Sequence, residues 1–184
     1  MRMRPVTLFL TLFVGMILST SSQVWAVPNP AATGPVITRA FGPEVAKYGD
    51  PIKFFIEADD PAGDIQRIAI VVDQSGYGHY PTDWVYVSKR DNQHLMGYLQ
   101  WNTFSSNASS MPEWTDLTVK ISVFDKRGQE SNSIVFPLQF VSNRPAEIST
   151  PPAPFDSPNV QRLGHIDINL FNPNEMGNEP EGRW

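Results

Sequence analysis

An acidic stretch between Glu57 and Asp64 is the part of the sequence whose residue types could most readily do chemistry. It reads E-A-D-D-P-A-G-D and stands between two apolar runs, and further acidic residues follow at Asp125 and Glu130. Carboxylate oxygens supplied by flexible loops are the ligands that Ca²⁺ prefers. The candidate calcium ligands are Asp59, Asp60, Asp64, Asp125 and Glu130.

The same acidic residues have a second interpretation as turn formers. Asp, Pro and Gly stabilise turns through side-chain to backbone hydrogen bonds and permissive dihedral angles, with no ligand. The D-x-D-x-D-G spacing of an EF-hand loop is absent. The sequence leaves both interpretations open: no cofactor is required, and calcium is the one cofactor it suggests.

Patterns typical of enzymes are missing. The three histidines are scattered without an H-E-x-x-H motif, and Ser75 stands in D-Q-S-G-Y-G, which lacks the G-x-S-x-G turn. The chain has no cysteine, which excludes thiol nucleophiles and disulfides. A glycosidase needs two carboxylates that flank a deep groove, and a chain of this size has little material to build one. We therefore predict that the protein is not an enzyme.

Aromatic residues suggest a binding surface instead. The segment S-G-Y-G-H-Y-P-T-D-W-V-Y contains Tyr77, Tyr80 and Trp84. We expect Tyr77 and Tyr80 to be exposed because they stand in a glycine-containing loop, whereas a place in the core is the simpler interpretation of Trp84. Exposed rings can stack on sugars or on the side chains of a protein partner.

The elements that must position these residues are β-strands. From Gly34 to Ser142 apolar residues mostly alternate with polar ones, turn residues interrupt them about every ten positions, and no helical stripe appears. Alternating apolar faces need a second sheet to cover them. The predicted fold is all-β, an immunoglobulin-like β-sandwich of about seven antiparallel strands. The predicted strands lie in residues 35–41, 51–58, 65–73, 84–89, 95–101, 116–124 and 133–141.

The two ends of the chain differ from this central region. Two arginines precede a short apolar run, which predicts a signal peptide over residues 1–26, followed by a short linker over 27–33. After the sandwich, residues 34–142, the segment 143–184 is rich in proline and predicts a linker and an extended tail. Its short alternating run, Ile166, Ile168 and Leu170, either docks on a partner or folds back on the sandwich.

The charge and the ends limit the partners and the location. The formal net charge is −5, and loss of Arg2 and Arg4 with the signal peptide makes the chain more acidic, so nucleic acid is not an expected partner. The signal peptide predicts an exported protein, in the periplasm or outside the cell, without a stable membrane span after cleavage.

Two loops carry a resemblance to a known group of domains. The stretch V-F-D-K-R-G-Q-E-S-N resembles the last hairpin of bacterial exported immunoglobulin-like, fibronectin type III-like and PKD-like domains, and E-A-D-D-P-A-G-D-I resembles an earlier loop of the same domains. The matching positions are Asp125, Gly128, Ser131 and Asn132, then Asp59, Pro61, Gly63 and Asp64. The resemblance covers residues 34–142 and implies the fold, but no activity.

Together these features predict a non-catalytic exported accessory module that binds a protein partner of the cell envelope or of an extracellular assembly. The expected contacts are a sandwich edge and the tail residues Ile166, Ile168 and Leu170, because an extended segment can order on a partner by adding a strand. The alternative is a carbohydrate-binding module that uses Tyr77, Tyr80 and Trp84.

Overall fold

The computed structural model describes residues 34–103, 115–141 and 150–170, which contain ten β-strands and a one-turn 3₁₀ helix at Lys89–Asp91. The strands are β1 (Val36–Phe41), β2 (Val45–Lys47), β3 (Pro51–Asp59), β4 (Ile65–Gln74), β5 (Gly78–His79), β6 (Asp83–Tyr86), β7 (His94–Asn102), β8 (Thr115–Asp125), β9 (Ile134–Val141) and β10 (Arg162–Ile166).

The strands form two sheets that pack face to face, so the predicted all-β sandwich is confirmed. The four-stranded sheet has the order β1-β3-β7-β10, and the six-stranded sheet has the order β2-β9-β8-β4-β5, with β6 also paired to β4. Seven strands are the predicted ones, and β2, β5 and β10 are additional. The pairs β2–β9 and β7–β10 are parallel, so the sheets are mixed rather than purely antiparallel.

The core between the sheets follows the alternation in the sequence. On β3, the predicted inner residues Ile52, Phe54, Ile56 and Ala58 are all buried. The inner residues of β7 lie beside them in the same sheet, and those of β8 and β9 face them from the other sheet. The ring of Phe54 lies 5.1 Å from that of Phe136 on the opposite sheet. Burial of each large apolar side chain stabilises the fold by about 1.5 to 3 kcal/mol, so this core holds the sheets together.

Residues 150–170 are packed into the sandwich as well. The ring of Phe155 covers Phe55 on the outer face of the four-stranded sheet, with 5.5 Å between ring centroids. Further along, β10 pairs with β7, and the side chains of Ile166, Ile168 and Leu170 are buried in the core. The packed unit therefore includes residues 150–170, whereas the sequence predicted that the sandwich ends at residue 142.

Two glycines make room for this returning segment. A Cβ atom on Gly97 would lie only 2.5 Å from the backbone oxygen of Gln161 and 2.7 Å from Leu163, and a Cβ atom on Gly164 would overlap Val85. Because real Cβ atoms do not approach other atoms so closely, the backbone of Gln161 can reach β7 only at a glycine, and Gly164 leaves the space that the side chain of Val85 fills. Gly97 and Gly164 thus form the seat of β10 between β7 and β6.

The predicted signal peptide (residues 1–26) and the linker that follows it lie outside the described residues and stay predictions. In the part of the chain that the structure describes, no helix has the length and the apolar character needed to cross a membrane.

Candidate functional site

The two acidic loops meet at one pole of the sandwich, as the strand order predicts. The loop after β3 and the loop after β8 are joined by a 3.0 Å hydrogen bond from the backbone N–H of Lys126 to the carbonyl of Asp64. Ile65 also faces Asp125 across the β4–β8 pair. This places Asp60, Asp64 and Asp125 close together.

The carboxylates of this pole shape their own loops. Asp60 is buried, and its two oxygens accept hydrogen bonds of 3.1 and 2.9 Å from the backbone N–H groups of Ala62 and Asp64. Asp125 is buried too and accepts a 2.7 Å bond from the backbone of Gln129. Each carboxylate therefore closes a turn by bonding to the backbone, which is the second of the two sequence interpretations.

An arginine supplies the positive charge that this pole needs. The Nη2 atom of Arg127 lies 3.0 Å from the Asp125 carboxylate, and its Nε lies 3.8 Å from that of Asp64. Partial burial raises the pKa of Asp64 above its ordinary value, and a hydrogen bond with Asp60 raises it further, while the charge of Arg127 acts against both. The guanidinium thus supplies positive charge beside two of the carboxylates that were predicted as calcium ligands.

The other two predicted calcium ligands do not join this cluster. Successive side chains of a strand point to opposite faces, so the side chain of Asp59 points away from that of Asp60. Its Oδ1 atom lies 2.7 Å from Nδ1 of His94, on the outer face of the four-stranded sheet. Glu130 is exposed, and its backbone forms an isolated bridge to Phe124. Among the described residues, no group of three or more His, Cys, Asp or Glu side chains is arranged to hold a metal ion.

The three predicted contact aromatics differ in exposure. Tyr77 and Trp84 are exposed, but Tyr80 retains only 9% of its accessible surface, so the prediction that Tyr80 is exposed is wrong. Its hydroxyl lies 2.5 Å from Oε1 of Gln74, and its backbone N–H bonds to Val72. These bonds turn the ring back onto the sandwich after the hairpin.

The three predicted partner contacts of the tail lie in the core of the chain itself. Ile166, Ile168 and Leu170 are buried, and the indole of Trp101 bonds to the backbone of Ile168. In this arrangement their side chains contact the sandwich and are not available to another protein. These residues can pack into the sandwich because Gly97 and Gly164 have no side chains that would block β10. No local sequence pattern reveals this arrangement.

A surface that the sequence did not identify lies on the outside of the six-stranded sheet. Arg67 on β4 stands opposite Phe124 on β8 and Tyr86 on β6. Its guanidinium carbon lies 4.1 Å from the ring centroid of Trp84 and 5.6 Å from that of Phe124, and these two rings are 5.4 Å apart. We call Arg67, Trp84, Tyr86 and Phe124 the arginine–aromatic face.

Large apolar side chains are exposed on this face. Tyr86 retains 69% and Trp84 36% of its accessible surface, and Val135 on the same side of β9 retains 54%. The alternation of Trp84 and Tyr86 on either side of the buried Val85 was the available sequence signal. This alternation does not predict the face by itself, because the register between β6 and β4 decides which residues lie beside Trp84 and Tyr86.

Arg67 is the charged residue at the centre of the face. Its Nε atom is buried and has no hydrogen-bond partner. Among the described residues, ion pairs occupy Arg39, Arg90 and Arg127, but no carboxylate lies within ion-pair distance of Arg67. A guanidinium that is stacked on an aromatic ring and unpaired is suited to accept an anionic group from outside the molecule.

A small cleft lies near the end of β10. Its volume of about 220 Å³ is below the range of about 300 to 1,000 Å³ that is usual for ligand pockets. One oxygen of Asp83 accepts a 2.7 Å hydrogen bond from the backbone of Asp167 and the other a 2.8 Å bond from that of Trp84. This carboxylate therefore ties the tail to β6. The cleft is lined by Tyr80, Pro81, Thr82, Asp83, Asp167, Ile168 and Asn169.

Comparisons with known proteins add little to this geometry. No protein-family model matches the chain, and no curated protein matches it. Among solved structures, the CARDB domain of the PF1109 protein from Pyrococcus furiosus, in complex with di-metal ions, is similar with a TM-score of 0.33 and 11% sequence identity. The similarity covers 61% of this chain and 98% of that chain. Similarity at this level carries no information about what the present chain binds.

Proposed function

We propose that this protein is a non-catalytic, exported β-sandwich accessory module that binds a protein partner of the cell envelope or of an extracellular assembly. The contact surface in this proposal is the arginine–aromatic face together with Val135. The predicted signal peptide and the resemblance to exported immunoglobulin-like, fibronectin type III-like and PKD-like domains support export.

The single observation that carries the proposal is the exposure of Tyr86 and Trp84 around Arg67, which forms no ion pair with any described residue. Trp, Tyr and Arg are the residues most enriched at the energetic centres of protein interfaces. Exposure of two large aromatic rings to water is unfavourable, so binding of a partner that buries them is favoured. The face therefore has the composition of an interface rather than that of an ordinary sheet exterior.

A non-catalytic role agrees with the arrangement of the acidic residues. The carboxylates of Asp60 and Asp125 are buried and engaged in turn formation and in pairing with Arg127. A general acid or base has to reach the proton that it transfers. Within the described residues, these acids are therefore better explained by structure than by catalysis.

Site-specific photo-crosslinking in the producing organism tests the proposal. A benzophenone amino acid replaces Tyr86 in one variant and the exposed Lys53, on the four-stranded sheet, in the matched control. We expect one defined protein adduct from position 86 and none from position 53. The purified partner should then bind the wild-type chain, and the double variant Trp84→Ala, Tyr86→Ala should bind at least ten-fold more weakly. Equal adduct patterns at the two positions would reject this face as the interface.

A glycan array separates this proposal from the carbohydrate-binding alternative. Burial of Tyr80 and stacking of Arg67 on Trp84 reduce the ring surface that these two residues offer to a sugar, whereas Tyr77 is 44% exposed with its ring 4.9 Å from that of Tyr80. Sugar binding that disappears in Tyr77→Ala or Trp84→Ala would replace the protein-binding proposal. No binding on the array, together with a defined adduct at position 86, would support it.

A further inference from the structure

We propose that the arginine–aromatic face recognises an acidic side chain of its protein partner, and that the Arg67 guanidinium, stacked on Trp84, receives that carboxylate. The expected ligand is a segment in which Asp or Glu stands beside apolar residues. This inference rests on the proposed function, because it specifies the chemistry of the partner at the same surface.

The geometry around Arg67 prepares it for this role. With its guanidinium carbon 4.1 Å above the Trp84 ring and 5.6 Å from that of Phe124, the planar group is held against two aromatic surfaces. Stacking fixes the plane of the guanidinium and leaves its edge free to donate hydrogen bonds. An arginine that is already oriented loses less conformational entropy when it binds a carboxylate.

The second observation is that Arg67 has no ion-pair partner among the residues that the structure describes. Arg39 lies 3.3 Å from Glu57, and Arg127 lies 3.0 Å from Asp125. Arg67, by contrast, has a buried Nε atom without a hydrogen-bond partner. A partly buried cation of this kind gains more from a carboxylate than one in open water, because nearby rings lower the local dielectric constant.

The surrounding charge also favours an acidic ligand. Lys120 points outward from β8, where it stands beside Val71 on one neighbour and Val135 on the other. It lies four residues before Phe124, which corresponds to about 13 Å along a strand. Asp73 and Asp116 stand on the same side of the sheet but farther from Arg67, where they contact His79 and Gln139. Arg67 and Lys120 are therefore the charged residues of the part of this face between the aromatic rings and Lys120. A second acid about four residues from the first, in an extended ligand, would therefore approach Lys120.

Selection of peptides from a display library tests the inference without knowledge of the natural partner. The mature chain is immobilised and selects from random twelve-residue peptides, in parallel with Arg67→Gln, Arg67→Lys, the double variant Trp84→Ala, Tyr86→Ala, and the control Lys53→Ala. The melting temperature of each variant shows that it is folded. We expect peptides with Asp or Glu beside apolar residues to be enriched by the wild type and by Lys53→Ala.

The affinities of one selected peptide then isolate the carboxylate. Charge-assisted hydrogen bonds contribute about 1.5 to 3 kcal/mol, so replacement of the peptide acid by its amide should weaken binding about ten-fold or more. Arg67→Gln should weaken binding to a similar extent, and the two changes together should cost little more than either alone. Arg67→Lys should recover only part of the affinity, because lysine lacks the planar fork.

The outcomes distinguish the inference from the proposed function. If peptides bind through Trp84 and Tyr86 but contain no acidic preference, or bind Arg67→Gln as tightly, the carboxylate inference is wrong and the proposed function survives. If no selected peptide depends on Trp84 and Tyr86, both are rejected. Vesicles of phosphatidylglycerol and an anionic polysaccharide serve as further probes: binding to either that needs Arg67, without peptide enrichment, would overturn the choice of a protein ligand.

Discussion

The indole Nε1–H of Trp101 donates a 2.9 Å hydrogen bond to the backbone carbonyl of Ile168, and both groups are buried. Trp101 stands on β7 in the middle of the sandwich, whereas Ile168 belongs to the proline-rich C-terminal region. The bond is one of several contacts that make this region part of the fold, since Phe155, Ile166 and Leu170 are buried as well. Residues 150–170 of the C-terminal region are therefore a structural element.

Replacing Trp101 with phenylalanine should test the contribution of that bond. The smaller ring retains part of the packing but leaves a small cavity and a buried carbonyl without a donor. We expect the free energy of unfolding to fall by about 2 to 4 kcal/mol, measured by urea denaturation. The control Trp84→Phe, on the surface, keeps an aromatic ring beside Arg67 and Phe124 and should change it by less than about 1 kcal/mol. Equal losses in the two variants would contradict the assignment.

The seat of β10 predicts a specific effect of Gly97→Ala. The added methyl would meet the side chain of Leu163 and the backbone of Gln161, and the backbone cannot move without displacing the start of β10. We expect faster amide hydrogen exchange in residues 150–170, while β8 in the opposite sheet stays protected and serves as an internal control. Unchanged exchange in residues 150–170 would show that the seat tolerates a side chain.

These contacts explain which parts of the fold could be predicted. Two-residue alternation located seven strands and the inner residues of β3, because each pattern is local. The position of β10 depends on the absence of side chains at Gly97 and Gly164, which come together only after the sheets have formed. Prolines on both sides of β10 indicated an extended linker. The three alternating residues were too few to form a core alone, so they predicted either docking on a partner or a return to the sandwich. Long-range complementarity of this kind leaves no local signal.

The arrangement of the acidic pole could also be predicted only in part, because it depends on contacts that form after folding. Strand direction correctly placed the loops of Asp64 and Asp125 at one end. The orientation of each carboxylate could not be predicted, because it depends on which backbone N–H groups the turn presents. Arg127 stands within the K-R-G of the second loop, but only the folded loop shows that its guanidinium reaches both carboxylates.

Removal of the Arg127 guanidinium should reduce the positive charge beside the carboxylates of Asp64 and Asp125. We expect Arg127→Ala to lower the free energy of unfolding by about 1 to 2 kcal/mol, a range reduced because the side chain is half exposed. Millimolar calcium should then restore part of the melting temperature of Arg127→Ala and leave that of wild type unchanged. Lys126→Ala, in the same loop, is the matched control. A clear rise in the melting temperature of wild type with calcium would show that a metal site exists beside Arg127.

The raised pKa of Asp64 predicts a pH dependence of stability. The folded state holds this proton more tightly than the unfolded chain, whose value is near 3.8. Asp64 therefore lowers stability as the pH rises from 3.8 through the raised folded value, and the loss persists above it. We expect Asp64→Asn to melt above wild type at pH 7, with a difference that disappears as the pH falls below 3.8.

Melting curves across this pH range check the prediction, with Asp156→Asn reporting the general effect of removing one exposed negative charge. If the difference between Asp64→Asn and wild type instead grows on acidification, then ionised Asp64 stabilises the fold through Arg127, and the sign assigned to its burial is wrong.

Two tyrosines only six residues apart should separate stability from binding. Tyr80 is buried and bonded to Gln74, so Tyr80→Ala should lower the free energy of unfolding by about 3 to 5 kcal/mol, as expected for loss of a buried aromatic ring. Tyr86 is exposed, so Tyr86→Ala should change it by less than about 0.5 kcal/mol but weaken partner or peptide binding about ten-fold, because exposed interface tyrosines contribute to affinity. Urea denaturation and a binding titration on both variants check the two effects. A Tyr86→Ala variant with unchanged affinity would remove the outer side of the six-stranded sheet as the contact surface, since Tyr86 is its most exposed ring.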